Sequence, residues 1–556
     1  MVAADAGRDR AAGRFDAVPR RRSAALSRAP VQTDTMKNSF VQSMAWLHTW
    51  AGLVVGWLLF AIFVGGTLAC FDKELDDWMR PALHGVQAPE RPAFDAALAL
   101  SRERAPEAHA WYVTAGNDRE RAMESYVYFD DGSHTRQALD PLSGAPVPDT
   151  AGGDFFFTLH YNLHAGTVGM YIVGLAGMLM LVALVAGVLI HKRIFKDFFT
   201  FRPKSGGQRA WLDGHNVTGV LGLPFHLMIA YTGVAIFVAN YMFAGVNAAY
   251  DGDILKFYEE AGDLYERPEV GEPLARLHSV DALVEDAQRR LGAPVTWASV
   301  HHPDDASATI SFGGDHSRAV AWNLRQVFYD ATDGRFLHQT GAPGGGYASY
   351  SYLGGMHMAQ FGGAALRWLY FLMGVAGCVM IASGMQVWVN KRARRVAAAG
   401  VLSGYGLVRG LNVGVVAGMP LACVSMLLAN RLLPADLGDR AAAEIAVFCA
   451  VWVLAAVWGT WRDRLGRGWR DLFAATAAAL LAVPLVNAVA TPDSQLLATL
   501  GRGEYALAAV DLGALAFAIG YAALAWRQTR SQPSGLAARP QRSEREQAAS
   551  AAVETG

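Results

Sequence analysis

Fifteen histidines stand in this chain of 556 residues, and their distribution is uneven. His48, His160, His164, His191, His215, His226 and His357 lie in or at the ends of long apolar runs. The other eight, His84, His109, His134, His278, His301, His302, His316 and His338, lie in polar segments, and none follows His357. An ionisable side chain within an apolar run that long is a functional hypothesis by default. Neutral imidazole is the commonest metal ligand, and two facing imidazoles are the natural axial pair for a haem iron that passes electrons without binding oxygen. The first three apolar runs contain no acidic residue, whereas a hard-metal cage or a transported-cation site wants carboxylates. The four cysteines, Cys70, Cys378, Cys423 and Cys449, have neither CxxC nor CxxCH spacing, which excludes a CxxC zinc or iron–sulfur site and covalent haem. Non-covalent, b-type haem fits this set better than zinc or manganese, the alternative for any one histidine being an interfacial residue bonded to a carbonyl.

An internal repeat selects the ligand pairs. His48-Thr-Trp-Ala-Gly52 recurs as His215-Asn-Val-Thr-Gly219, at an offset of 167. Leu139-Asp140-Pro-Leu-Ser-Gly144 recurs as Tyr329-Asp330-Ala-Thr-Asp-Gly334 at 190, and His160 with Gly166 recurs as His357 with Gly363 at 197. Three anchors in one order with growing offsets describe a duplication whose copies share a topology, so a pseudo-two-fold axis along the membrane normal is expected. Two ligands related by that axis would grip a haem lying on it: His48 with His215 towards the cytoplasmic face, and His160 with His357 towards the outer face. The glycines beside them, Gly52, Gly166, Gly219 and Gly363, would let a flat macrocycle approach the backbone. His164, one turn after His160, shares its face on a continuous helix, and His226, about three turns after His215, shares that of His215. Either could replace the chosen ligand or support a further cofactor. His191 reads as an interfacial partner for a propionate or a substrate, and Arg367 as a partner for a haem propionate or a lipid headgroup. Counting rise per residue places the two irons roughly 25–30 Å apart, with His164, His226 or aromatics bridging the gap.

Eight apolar runs must position these residues: approximately 46–71, 165–190, 215–240, 358–389, 409–433, 441–461, 470–490 and 505–526. Each approaches the length of about 20 helical residues that crosses a bilayer. A chain 53% hydrophobic and only 17% charged is too apolar for a soluble enzyme, and a net charge of −1 excludes a polybasic nucleic-acid binder. Basic loops stay in the cytoplasm, and every second loop is basic. Arg20, Arg21, Arg22, Arg28 and Lys37 precede the first run, and Lys192, Arg193, Lys196, Arg202, Lys204 and Arg209 follow the second. Lys391, Arg392, Arg394 and Arg395 follow the fourth, and Arg462, Arg464, Arg467 and Arg470 the sixth. Both termini are therefore expected in the cytoplasm and the two long polar segments outside, in the periplasm of a Gram-negative cell.

The expected organisation is a cytoplasmic tail without apolar period (1–36), a first span (37–71) and an outer module (72–156). Spans 2 and 3 with their basic loop (157–243), a second outer module (244–356) and a fourth span (357–395) follow. A four-span extension (396–528) and a second cytoplasmic tail (529–556) complete it. Met36-Lys37-Asn38 looks like a more natural start than Met1. Each outer segment has the layout of a small α+β unit: an amphipathic helix over 92–104 or 279–291, then alternating stretches such as Ser125–Phe129 and Ala308–Phe312, then an Asp-x-x-x-Gly turn. The extension carries no histidine and, cut off in a cytoplasmic loop, is expected to be dispensable for haem binding.

Trp46-Leu-His48-Thr-Trp-Ala-Gly52, Ile190-His-Lys-Arg-Ile-Phe-Lys-Asp-Phe-Phe199 and Trp211-Leu-Asp-Gly-His215-Asn-Val resemble motifs of PepSY-associated transmembrane proteins. So do Leu223-Pro-Phe-His226-Leu-Met, Leu159-His160-Tyr-Asn-Leu-His164 and Met356-His357-Met. The resemblance covers roughly 37–395. It implies a membrane α-helical bundle of about eight spans with two small α+β periplasmic PepSY modules, frequent iron regulation and, in one branch, haem-dependent reduction of ferric siderophores. The expected function is thus a bacterial inner-membrane electron-transfer protein with about two b haems, reducing a ferric siderophore or another ferric chelate at the periplasmic face. With no GxGxxG motif after a strand, electrons must come from a separate cytoplasmic reductase or from quinol in the bilayer. The alternative is a membrane-tethered PepSY regulator of peptidases or envelope processes with structural histidines; a transporter stands third.

Overall fold

The computed structural model describes residues 40–87, 92–117, 119–191, 202, 207–241, 243–315, 319–322, 325–399 and 404–530. His316, Met36, the arginines of the first tail, Lys37, Lys192, Arg193, Lys196, Lys204 and both tails lie outside the described residues.

Among the described residues, six helices are long and apolar enough to cross a membrane, and two bent helix pairs raise the number to eight. Span 1 is Phe40–Val54 with Gly56–Ala69, bent by 62°, and span 3 is Gly207–Leu221 with Leu223–Ile236, bent by 66°. Span 2 is Gly166–Ile190 and span 4 is Gly363–Ala399. Spans 5 to 8 are Tyr405–Leu432, Arg440–Asp463, Gly468–Ala490 and Tyr505–Arg530. The bend in span 3 has a local cause: Pro224, in the first turn of the second helix, has no N–H to donate back across the break. A Cβ on Gly222 would lie 2.4 Å from His226 Cε1, so only glycine lets that ring fold back here.

Spans 2 and 4 are each preceded by a short helix that delivers a histidine. Asp154–Asn162 carries His160 and ends in left-handed Leu163 and His164, followed by Gly166 at φ +56°. Gly345–Met358 carries His357 and ends in left-handed Ala359, followed by Gly362 and Gly363 at φ +74° and +66°. Span 4 therefore starts at Gly363 rather than at 357, because the left-handed residues end one helix and begin another at a new angle.

The polar segments form one seven-stranded antiparallel sheet, ordered β3-β2-β1-β4-β5-β6-β7. Its strands are β1 Ala110–Thr114, β2 Met123–Tyr128, β3 His134–Leu139, β4 Val295–His301, β5 Thr309–Gly314, β6 Gln326–Asp330 and β7 Phe336–Gln339. The two expected units are halves of this sheet. Their seam is the β1–β4 pair, running from Ala110 opposite His301 to Thr114 opposite Trp297. Helices Phe94–Arg104 and Val284–Leu291 bury Phe94, Leu98 and Ala287 in a single core with Trp111, Val113, Val300, Ile310 and Phe312. Arg136 on β3 pairs with Asp154, which ties the sheet to the helix that bears His160.

Spans 5 to 8 do not stand apart. Phe60 of span 1, Met385 of span 4 and Trp78, Phe155 and Phe156 share an apolar core with Met419, Met426, Phe448, Leu480 and Ala514 of the extension. The expectation of few crossing contacts does not hold, because packed apolar side chains and buried polar groups run across the whole junction.

Candidate functional site

The four symmetry-related histidines meet as two pairs. The rings of His48 and His215 lie 6.2 Å apart at their centroids, and those of His160 and His357 lie 5.8 Å apart and nearly parallel, at 23°. Three of the four put Nδ1 on a main-chain carbonyl: His48 on Ala183 at 2.8 Å, His215 on Met380 at 2.8 Å and His160 on Ile62 at 2.9 Å. A carbonyl only accepts, so each Nδ1 carries the hydrogen and each Nε2 keeps its lone pair. His357 reaches the same state through Thr232. That hydroxyl donates to the Met228 carbonyl at 2.8 Å and so accepts from His357 Nδ1 at 3.1 Å.

Each pair lines a cavity. The one on the sheet side measures about 550 Å³ and the one on the far side about 670 Å³, within the range of cofactor sites. Leu59 and Met180 line both, so the two cavities share a wall one side chain thick. On span 2 the far cavity touches Ala183–Gly187 and the near one Gly174–Gly177, levels only about 15 Å apart along the helix. The cavities lie closer than a count along straight spans suggests, because spans 1 and 3 bend and His160 and His357 sit on their own short helices.

Glycines other than those expected to face a macrocycle let the histidines themselves approach the neighbouring helices. A Cβ on Gly66 would lie 2.7 Å from His160 Nδ1, and one on Gly233 2.7 Å from His357 Cε1. Added to Gly187 it would lie 3.2 Å from His48 Cε1, and to Gly384 2.9 Å from His215 Cε1. Of the four expected to leave room for a flat group, Gly52 and Gly219 line the far cavity, where a Cβ on Gly52 would meet nothing within 4 Å. Gly166 and Gly363 serve the left-handed turns before spans 2 and 4.

The remaining predicted residues separate. His226 is fully buried, gives Nε2 to the Met373 carbonyl at 3.1 Å and packs 5.9 Å from Phe63. It lines neither cavity, because the bend at Gly222 takes it off the face of His215. His164 does not share the face of His160. Its left-handed backbone turns the ring back onto Phe155 at 4.5 Å, where Nε2 meets the Phe155 carbonyl. His191 lines the far cavity with Lys391 and Arg392, and Arg367 lines the near one with Lys73 and Arg119. His191 Nε2 and Arg367 Nε are both buried without a hydrogen-bond partner, although Arg367 Nη2 reaches Glu74 at 3.3 Å.

These features fit a haem in each cavity. Two imidazoles bound to one metal through bonds of about 2 Å have ring centres near 6 Å apart, as both pairs do. Glycines back the rings, and an orphaned cationic or imidazole N–H lines each cavity to meet a carboxylate. Lys73, Arg119 and Thr232 were missed in the sequence reading because they stand in unremarkable local patterns. Another group carried a visible signal: Arg431, Glu444, Asn487 and Asp511 are polar residues within or at the ends of apolar runs. In the fold they meet each other and the sheet side of the histidine half. Glu444 accepts from Thr150 Oγ1 at 2.7 Å and from the Ala151 N–H at 2.8 Å, and Asn430 donates to the Met79 carbonyl at 3.0 Å. Arg431 stacks 3.7 Å over Trp78, whose indole donates to Asp511 at 3.3 Å.

The chain matches the family described as the PepSY-associated TM region over residues 45–391, more than half its length, and belongs to that family. An uncharacterized protein of Pseudomonas aeruginosa is 28% identical over 297 residues, which cover 51% of this chain and 74% of that one. Spans 5 to 8 lie beyond the family match.

Proposed function

We propose that this multi-pass member of the PepSY-associated TM family holds two b-type haems, one between His48 and His215 and one between His160 and His357. On this reading electrons cross the inner membrane to reduce a ferric chelate of siderophore type on the sheet side. The observation that carries it is the pair of facing imidazole couples, each with Nδ1 tied back and Nε2 free. Haem supplies a one-electron Fe(III)/Fe(II) couple when bound, and two imidazole ligands leave no position for oxygen. The chain's part is to fix tautomer and ring position, to neutralise propionates with Arg367 and His191, and to exclude water with Leu59, Met180 and their neighbours.

The basic loops support a cytoplasmic side for the far cavity and for both termini, and on that orientation a cytoplasmic reductase or membrane quinol delivers the electron there. The near cavity is edged by Tyr258 and Trp322 and by Lys73 and Arg119, which an incoming anionic, oxygen-rich chelate would share with Glu120, Glu74 and Asp72. One electron passed to Fe(III) yields Fe(II), which hard oxygen donors hold far more weakly. The test is to reduce the purified protein with dithionite under anaerobic conditions, add ferric hydroxamates or catecholates, and follow reoxidation with a ferrous trap present. Reoxidation with matching Fe(II) release is expected. If no chelate acts faster than in the His160→Ala/His357→Ala variant, the reductase reading falls; a protein that carries no haem at all would favour the regulator.

A further inference from the structure

The histidines outside the two cavities also gather. His109 precedes β1 and His302 follows β4, and since Ala110 pairs with His301, both stand at one end of the seam between the sheet halves. Their rings lie 4.9 Å apart, and the His302 N–H donates to the His109 carbonyl at 2.9 Å. Glu266 joins them: one ligand atom from each of the three lies within 4.8 Å of the other two. His302 Nε2 stands 3.4 Å from Glu266 Oε1. A second carboxylate backs each ring, Asp130 at 3.2 Å from His109 Nδ1 and Glu269 at 2.7 Å from His302 Nδ1. That Nδ1 is buried without an aligned hydrogen bond. His302 itself is 8% exposed and held at φ +49°, a backbone conformation that side chains other than glycine seldom adopt. The other carboxylate cluster, Asp76 with Glu120 and Glu124, lacks this character, since Arg80, Lys73 and Arg136 already pair with it.

We propose that His109, His302 and Glu266 bind a divalent first-row transition-metal ion of the Zn(II) type across the seam. Two imidazoles and one carboxylate suit a borderline ion and disfavour Mg(II) or Ca(II), which want oxygen alone. Asp130 and Glu269 stand where carboxylates that orient metal-bound imidazoles stand. Three protein ligands leave at least one position for water or an incoming donor. The five steps from His109 to Thr114 carry the chain about 17 Å before it reaches the Arg119 edge of the near cavity. Metal binding here is therefore separable from the haem reading and does not rest on it.

The experiment uses full-length protein with a histidine-free tag, stripped with EDTA. Zn(II) is titrated by calorimetry and Co(II) by its visible d–d absorption. One site is expected, silent to Mg(II), with affinity at least tenfold weaker in His109→Ala, His302→Ala and the milder Glu266→Gln, and unchanged in His278→Ala. Circular dichroism and monodispersity show that each variant is folded, and Glu266→Gln alone decides if the histidine variants are not. The proposal is overturned if the wild type binds no more Zn(II) than the His109→Ala/His302→Ala double variant, or if folded Glu266→Gln binds as the wild type does.

Discussion

Spans 1 to 4 and spans 5 to 8 both bury polar side chains, but they complete them differently. In the first region His48, His160, His215 and His357 have one ring nitrogen tied back and the other free towards a cavity. In the second, Glu444 takes hydrogen bonds from Thr150, Ala151 and Asn430, and Asn487 joins Arg431 to Asp511, with Arg431 Nε at 2.7 Å and Asp511 at 3.0 Å. A buried polar group left half-satisfied costs stability and is retained where a ligand completes it; groups that complete one another hold elements together. On the proposed reading, the contrast is between a region of chemistry and one of scaffolding, in which Asn412 Nδ2 and Arg440 Nε are the exceptions left without a partner. It also shows what the scaffold holds, since Trp78, Met79, Thr150 and Ala151 flank the sheet segment that leads into the His160 helix.

The strongest challenge to this division is removal of the extension. A chain ending after residue 403 loses every partner of Trp78 and Thr150 named above. Haem per chain should fall from about two to about one, the near cavity emptying first because local stability there depends on the lost contacts. Absorbance per mole of monodisperse protein measures it, and retention of both haems would make the extension a passenger. A single change should act in the same direction. Glu444→Ala leaves the Thr150 hydroxyl, the Ala151 N–H and Arg440 without their carboxylate, at a cost of about 3 kcal/mol or more. A large drop in melting temperature is expected, while Glu444→Gln, which keeps one acceptor, should lie between Ala and wild type.

Glycine substitutions sharpen the comparison from the other side. Gly66→Ala pushes a methyl group against His160 and should alter only the near-cavity spectrum. Gly52→Ala is the more telling variant, because its Cβ meets no protein atom within 4 Å. Loss of far-cavity haem in a stable Gly52→Ala protein would show that the space belongs to a bound group, whereas a silent substitution would argue against one there.

The smallest expected effect is on pH dependence where the two regions touch. Burial pushes the His84 imidazole down to about 4, with Arg431 and Arg121 adding to the shift and the Asp77 carbonyl and Glu504 opposing it. The unfolded chain, with a value near 6.5, takes up the proton first. The contribution is complete above about pH 6.5 and is lost as the pH falls towards 4. Thermal unfolding between pH 7 and 4.5 should show this slope, and His84→Gln, which keeps a donor for Asp77 but cannot titrate, should flatten it.

Much of the site was legible because repetition carries spatial information: equal places in two copies must be related by one axis, and the histidine pairs followed from that alone. What a linear reading could not see were the breaks. His164 left the His160 face through two left-handed residues, and His226 left that of His215 through a glycine-proline kink. The near-parallel His160 and His357 rings and the short distance between cavities followed from the same breaks. The merged sheet was hidden because pairing between β1 and β4 spans nearly 190 residues. The role of the extension was partly visible, since Glu444 and Asp511 stand in apolar runs, but only the fold shows that they face Thr150 and Trp78.

Haem stoichiometry in the four histidine variants tests the central claim most directly. Pyridine haemochrome analysis of the wild type should give about two b-type haems per chain, released by acid–acetone because no thioether holds them. His160→Ala and His357→Ala should each remove one and the same spectral component, and His48→Ala and His215→Ala the other. Four independent losses, no loss, or a loss in His226→Ala that matches His48→Ala while His215→Ala stays silent would contradict the paired arrangement.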